Sequence, residues 1–417
     1  MVGQNSRIDD LGDSAMRLRR LGIAVLSAMV LAAGSASSGV AVASPDPAGD
    51  YAEVRQAMDE LIADGAAGVL VRVRDGQQVW THSAGVAEVG RPDPVPLDGR
   101  FRIGSITKTF VATVVLQLVD EGRVGLEDSV AAFLPQYGLD PRITVRMILQ
   151  HTSGLFNYTG EFGPDGVEPG ILPITGPEAL EAVNHPFHPD ELVQFALSKP
   201  ARFAPGTNWS YSNTNYILAG LLIEKLTGLP YAVQIYTRIV VPLGLWSTFV
   251  PGTFRKIPGP HAHGYADYLG TGDPKSADVT ELPVTWAGAA GEIVSSAADL
   301  DTFLAALLEG RLLPPPLLAE MRTPHSFASQ GATYGLGLLY RDVAPGCTSV
   351  GHDGGVPGYT TELAGTDDGR RTVVVSVTSG PTLSPENLEA AAEWDAAVSK
   401  IIVEIVGAAL CDTTTTR

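Results

Sequence analysis

The sequence predicts an α/β fold, in which an antiparallel sheet is flanked by helices and interrupted by an all-α insertion. Three observations carry this. Runs rich in β-branched residues stand early in the chain, at Val69-Leu70-Val71-Arg72-Val73 and Val79-Trp80-Thr81, and again near its end, at Arg371–Thr378. Between them lie helical patterns separated by Pro/Gly-rich loops. The late strands are divided by turn residues such as Asp367-Asp368-Gly369-Arg370, as an antiparallel meander requires. The two ends therefore form one α/β part, about 46–100 and 286–412, and the insertion occupies about 101–285.

The elements follow in order. Met16-Arg17-Leu18-Arg19-Arg20 is a positive segment, Leu21–Ala33 is apolar, and small residues lead to Ala41-Val42-Ala43. This is the pattern of an export signal, removed in the mature protein. Residues 1–43 are therefore read as a signal peptide, with Met16 a plausible true start, and the location as secreted and extracellular. After the linker Ser44–Asp50, Tyr51–Ala63 shows helical spacing at Val54, Met58, Leu61 and Ile62. The first two strands meet across Asp75-Gly76, a hairpin signal. A long helix is expected from Ser105 to about Glu121, stopped by Gly122, and a second over Tyr216–Leu226. Strands return at Tyr334–Tyr340, Ser349–Gly351, Tyr359–Ala364 and Arg371–Thr378. An amphipathic helix, Pro385–Leu410, closes the domain. Its Glu393, Asp395, Lys400 and Glu404 rule out a membrane span, and 413–417 is a tail.

The chain of 417 residues, 45% hydrophobic, is long enough to bury a core unaided. Its formal net charge of -18 repels phosphate backbones and anionic lipid, so nucleic acid is not an expected partner. The same charge favours a soluble monomer. Cys347 and Cys411 are the only cysteines, and in an exported chain they are expected to form one disulfide. Neither a Cys-x-x-Cys nor a Cys/His ligand spacing occurs, so no metal and no cofactor is implied. His261 and His263 form a His-x-His pair without a third ligand in view and are read as loop residues.

Three short constellations carry chemistry. In Ser105-Ile106-Thr107-Lys108 the serine and lysine are three residues apart, so one helix face brings an amine to a hydroxyl that needs a base. A helix start also offers free backbone N–H groups to a developing oxyanion, and it lowers the lysine's pKa. Tyr211-Ser212-Asn213 supplies a phenol, lowered by a nearby ammonium, that can pass protons at the leaving group, and an amide that can hold a substrate carbonyl. Gly351-His352-Asp353-Gly354-Gly355 ends an expected strand. Its glycines permit close approach to an extended substrate, and His352 can share a proton with Tyr211.

Together and in this order, these motifs resemble those of the serine penicillin-recognising enzymes. The likeness is greatest to the soluble D-alanyl-D-alanine carboxypeptidases of actinomycetes, with the class C β-lactamases as cousins. It extends through Phe101-Arg102-Ile103-Gly104-Ser105, His151-Thr152-Ser153-Gly154-Leu155, Tyr211-Ser212-Asn213-Thr214-Asn215, Tyr334-Gly335-Leu336-Gly337-Leu338 and the two cysteine positions, covering roughly 51–412. The resemblance implies a serine hydrolase working through an acyl-enzyme, on peptidoglycan stem peptides or β-lactams, with Ser105 as nucleophile, Lys108 as base, Tyr211 as proton carrier and His352 as its partner. It implies Asn213 at the acyl-side amide, an oxyanion hole from the Ser105 and Gly355 N–H groups, and Trp286 walling the pocket.

One departure stands out. The carboxypeptidases hold a terminal carboxylate with two threonines and an arginine, and here those positions read Asp353, Gly355 and Leu339. Arg341, two residues on and on the same strand face, is long enough to reach back. A D-alanyl-D-alanine carboxypeptidase-like peptidase remains the leading expectation, with a β-lactamase, esterase or D-amino acid amidase second and a non-catalytic penicillin-binding protein behind both. No G-x-S-x-G, H-E-x-x-H or Walker-type loop occurs, which excludes those hydrolase and NTPase classes.

Overall fold

The computed structural model describes residues 51–163, 166–173, 177–266, 277–329, 332–378 and 388–411. The export signal, the linker, residues 385–387 of the expected last helix and the tail lie outside the described residues.

Eight strands form one antiparallel sheet. They are β1 (Gly68–Asp75), β2 (Gln78–Gly85), β3 (His325–Ser329), β4 (Ala332–Tyr334), β5 (Leu339–Ala344), β6 (Cys347–Val356), β7 (Tyr359–Gly365) and β8 (Arg371–Thr378). Their spatial order is β2-β1-β8-β7-β6-β5-β4-β3. The β1–β8 pairing, with Val69 opposite Val377 and Val73 opposite Val373, joins the early and late parts of the chain.

Side-chain alternation divides the sheet between two cores. Val69, Val71 and Val73 of β1 and Val373, Val375 and Val377 of β8 face α1 (Ala52–Ala63) and the closing helix, Leu388–Leu410. Leu70, Leu363 and Val374 face the opposite way, toward α2 (Thr107–Asp120), α3 (Asn213–Thr227) and α4 (Ala297–Leu308). The closing helix is α5. Arg72 and Arg74, which interrupt the apolar run of β1, pair with buried Asp301 of α4 at 3.2 and 2.8 Å. Paired and hydrogen-bonded in this way, the carboxylate tolerates burial. Cys347 and Cys411 are disulfide-bonded, tying the start of β6 to the end of α5.

Two features differ from the sequence expectation. The strand read as Tyr334–Tyr340 is two strands, because Gly337 takes φ +81 in a turn whose carbonyl accepts from Thr109 of α2 at 2.8 Å. A Cβ at Gly337 would sit 2.6 Å from Ala112, so the turn lies directly on α2. The insertion is also not all-α. Gly160–Gly163 pairs with Gly166–Pro169, and Tyr265–Ala266 with Ala277–Asp278, as short ribbons. Loops rich in glycine and proline satisfy their backbone groups by pairing with one another. Among the described residues, no single helix is long and apolar enough to cross a membrane.

Candidate active site

Ser105 sits in a 3-10 turn, Gly104–Ile106, that runs into α2. Glycine makes this position possible. Gly104 has φ +52, and a Cβ there would lie 2.6 Å from the Gly355 nitrogen. On the facing strand, a Cβ at Gly354 would collide with the Ile103 carbonyl and lie 2.8 Å from the Ser105 nitrogen. Gly354 thus seats β6 against the nucleophile turn, while the Cα of Gly355 faces open space.

One helical turn on, Lys108 is completely buried. Its Nζ lies 2.9 Å from Ser105 Oγ and donates to Asn213 Oδ1 at 2.8 Å and to the Ala290 carbonyl at 2.7 Å. Burial holds its ammonium well below the ordinary lysine pKa, against a smaller opposing pull from Asp353. A neutral amine in contact with Ser105 Oγ can take the hydroxyl proton as the oxygen attacks.

Tyr211 hydrogen-bonds Ser105 and lies under Lys108, whose Nζ is 4.8 Å from the ring centroid. Its phenol differs from the sequence expectation. Burial pushes its pKa well above the ordinary value, and the Ser105 hydrogen bond offsets this only in part. With Lys108 itself depressed there is no fixed ammonium to lower the phenol, so Tyr211 rests as a neutral donor. Asn213 opens α3; its Nδ2 donates to Thr159 Oγ1 and its N–H to Asn157 Oδ1, both at 3.0 Å.

His151 holds this loop in place. It is fully buried at φ +66, a conformation that costs a non-glycine residue about 1–3 kcal/mol. Its Nδ1 accepts the Ser212 N–H at 3.2 Å, its carbonyl accepts the Ser210 N–H at 3.1 Å, and its ring lies 4.3 Å from that of Tyr211. Burial keeps the imidazole neutral, and because Nδ1 accepts the Ser212 N–H its proton is assigned to Nε2. The only sequence signal was its place in His151-Thr152-Ser153-Gly154.

On β6, His352 is buried, and its Nε2 meets the Tyr334 hydroxyl at 2.9 Å while Nδ1 meets the Asp353 carbonyl at 2.6 Å. The Tyr211 ring lies 6.5 Å away, so the direct Tyr211–His352 proton sharing expected from sequence is replaced by a contact with Tyr334. Sequence reasoning placed Tyr334 in a strand and in a stretch shared with the resembled family, but gave it no role at the site. Asp353 is half-exposed to the cleft. Burial opposes its charge, but His352 and Arg341 outweigh that and hold its carboxyl below the usual range. Arg341 does reach back: its guanidinium lies 3.2 Å from Asp353 and 3.2 Å from buried Glu362.

Ser105, Tyr211, Asp353, Gly354 and Gly355 line one cleft of about 480 Å³, with Thr360 and, from α5, Asp395, Val398 and Ser399. The three α5 residues carried no signal, because helical periodicity does not say what a helix end approaches. Trp286 is brought nearby but not into this lining. It is buried in a 3-10 turn, its carbonyl accepting from Tyr158 at 2.6 Å. His261 contacts the Gly259 carbonyl and His263 contacts Asp278, each at 2.7 Å.

The comparisons with known proteins agree with this geometry. The Beta-lactamase family matches residues 54–398. A penicillin-binding protein of Bacillus subtilis is 30% identical over 319 residues, 74% of this chain and 67% of its own. Among solved structures, a D-stereospecific amidohydrolase from Streptomyces sp. is 36% identical with TM-score 0.73, covering 88% of this chain and all of its own. D-amino acid amidase from Ochrobactrum anthropi is 28% identical with TM-score 0.72, covering 86% and 98%. The chain belongs to the Beta-lactamase family, and within it to the serine penicillin-recognising enzymes.

Proposed function

We propose that the protein is an exported, monomeric amidohydrolase that cleaves amides or esters of D-amino acids through an acyl-enzyme on Ser105, and that it prefers leaving groups without a free carboxylate. Lys108 takes the Ser105 proton as Oγ attacks the carbonyl carbon. The oxyanion forms against the Ser105 and Gly355 N–H groups, and Asn213 orients the acyl-side amide. Tyr211, bonded to Ser105, delivers the proton to the departing nitrogen or oxygen. Water then hydrolyses the ester with the same groups acting in reverse.

One observation carries the choice of leaving group. Among the described residues lining the cleft there is no Lys or Arg, and Asp353 contributes a carboxylate. The nearby Arg341 is already held between Asp353 and Glu362. A D-alanyl-D-alanine carboxypeptidase needs a cation or hydroxyl cluster for the terminal carboxylate, and Leu339, Asp353 and Gly355 supply neither. The likeness to D-stereospecific and D-amino acid amidases supports the same reading. The test is kcat/KM for D- and L-phenylalanine amide, a D-Ala-D-Ala peptide, a cephalosporin and a short-chain ester. The D-amide or ester should lead. A D-Ala-D-Ala peptide ahead of the amide would restore the carboxypeptidase assignment.

A further inference from the structure

Behind the catalytic wall lies a second cavity, of about 170 Å³ and open at one side. Its lining is largely apolar, from Phe187, Ile217, Leu221 and Ala289. The small residues are what make it. A Cβ on Gly220 of α3 would meet that of Ala289 at 2.6 Å, so the helix and the Gly288–Ala290 turn close the cavity's inner end together. For scale, a cavity of roughly 150 Å³ holds benzene.

The unusual group here is Glu292, which lines the cavity and is 4% exposed. One carboxyl oxygen accepts from the Tyr231 hydroxyl, and the other, Oε2, is buried without a hydrogen-bond partner. A buried carboxyl oxygen left unpaired is costly, and what satisfies it is a donor. Glu224, also in the lining, adds a second carboxylate, and among the described lining residues there is no Lys or Arg.

We propose that this cavity is a second ligand site, taking a small apolar primary amine whose nitrogen donates to Glu292 Oε2 and whose hydrocarbon part fills the space beside Phe187, Ile217 and Leu221. The site is placed to affect catalysis. The Gly288–Ala290 turn forms its wall on one side, and on the other the Ala290 carbonyl accepts the Lys108 hydrogen bond. Helix α3 likewise lines the cavity with Ile217, Gly220 and Leu221, and begins at Asn213. An occupant that shifts this turn changes the hydrogen bonding of the base. The inference is independent of the substrate proposed above.

The probe is benzylamine, titrated calorimetrically into the full domain, with toluene and benzyl alcohol as comparisons. Benzylamine should bind wild type and outbind both neutral analogues. Glu292→Gln should weaken it at least tenfold, and Leu221→Trp, which fills the cavity, should abolish it. Tyr231→Phe removes the side-chain hydrogen bond to Glu292 and should tighten binding, which keeps the test alive if Glu292→Gln fails to fold. An Asp353→Asn/Asp395→Asn double variant should bind as wild type does. Loss of binding in that double variant alone would place the amine in the catalytic cleft and overturn the proposal. So would toluene binding as well as benzylamine, no effect of Glu292→Gln, or weaker binding in Tyr231→Phe. Saturating benzylamine should change kcat/KM in wild type but not in Leu221→Trp; an unchanged wild type refutes the coupling to Lys108.

Discussion

Replacing Asp353 with asparagine should change which substrates the enzyme accepts while leaving its chemistry intact. The side chain is half-exposed in the cleft and 3.2 Å from Arg341. A substrate ending in a free carboxylate brings a second negative charge to this side. Two unit charges about 4 Å apart repel by ~1 kcal/mol in bulk water and by about 4 kcal/mol at the effective dielectric of a protein surface. Half-exposure and the Arg341 partner favour the lower part of that range, about 1–2 kcal/mol, or roughly a 5- to 30-fold preference for an amidated over a free-acid substrate. Asp353→Asn removes the charge and frees Arg341 from one of its two carboxylates. The preference should then fall to about one or reverse. Arg341→Ala should widen it. The assay is kcat/KM for a matched D-Ala-D-Ala peptide and its C-terminal amide in the three proteins. A wild type that prefers the free acid, with that preference lost only in Arg341→Ala, would refute the reasoning, because Arg341 would then be the carboxylate anchor.

Other expectations follow from the same contacts. Because burial holds the Lys108 ammonium well below its ordinary pKa, kcat/KM should rise with pH as the amine loses its proton and then level off. Lys108→Arg, which stays charged, should lose about 10³-fold or more across that range. Burial raises Glu292 to about 7, so the folded state binds its proton more tightly than the unfolded chain does. Glu292 therefore contributes a loss of stability as pH rises from 4.5 toward 7, and Glu292→Gln should lose less than wild type over that window. The difference between their urea unfolding free energies should change by about 3 kcal/mol over that window. The Cys347–Cys411 bridge closes a separation of 64 residues. Replacing both with serine should cost about 2–4 kcal/mol by denaturant melts.

Much of the fold is written locally in the sequence. Alternation in Val69–Val73 and Arg371–Thr378 specifies strands, and because both runs carry valines on one face, their pairing in a single sheet is the way to bury them. The nucleophile was legible for a similar reason, since a three-residue spacing on a helix is a contact by construction. What escaped was tertiary. Whether the His352 ring turns to Tyr211 or to Tyr334 depends on where β4 lies beside β6, and no spacing encodes that. What His151 holds was not legible, because its contacts with Ser212 and Tyr211 span some sixty positions. The lowered phenol expected for Tyr211 failed because burial acts on the lysine as well, removing the charge that would have lowered it. Arg341 was legible as a long side chain on the right strand face, but its second partner, Glu362, comes from the neighbouring strand through the Asp353–Glu362 register.

The central claim is that Ser105, activated by Lys108, forms a covalent acyl-enzyme. Intact mass spectrometry after incubation with benzylpenicillin, followed by peptide mapping, tests it most directly. Wild type should gain one penicilloyl group per chain, on the peptide containing Ser105, and Ser105→Ala should gain none while remaining folded. An adduct that persists in Ser105→Ala, or that maps to another serine in wild type, would contradict the account.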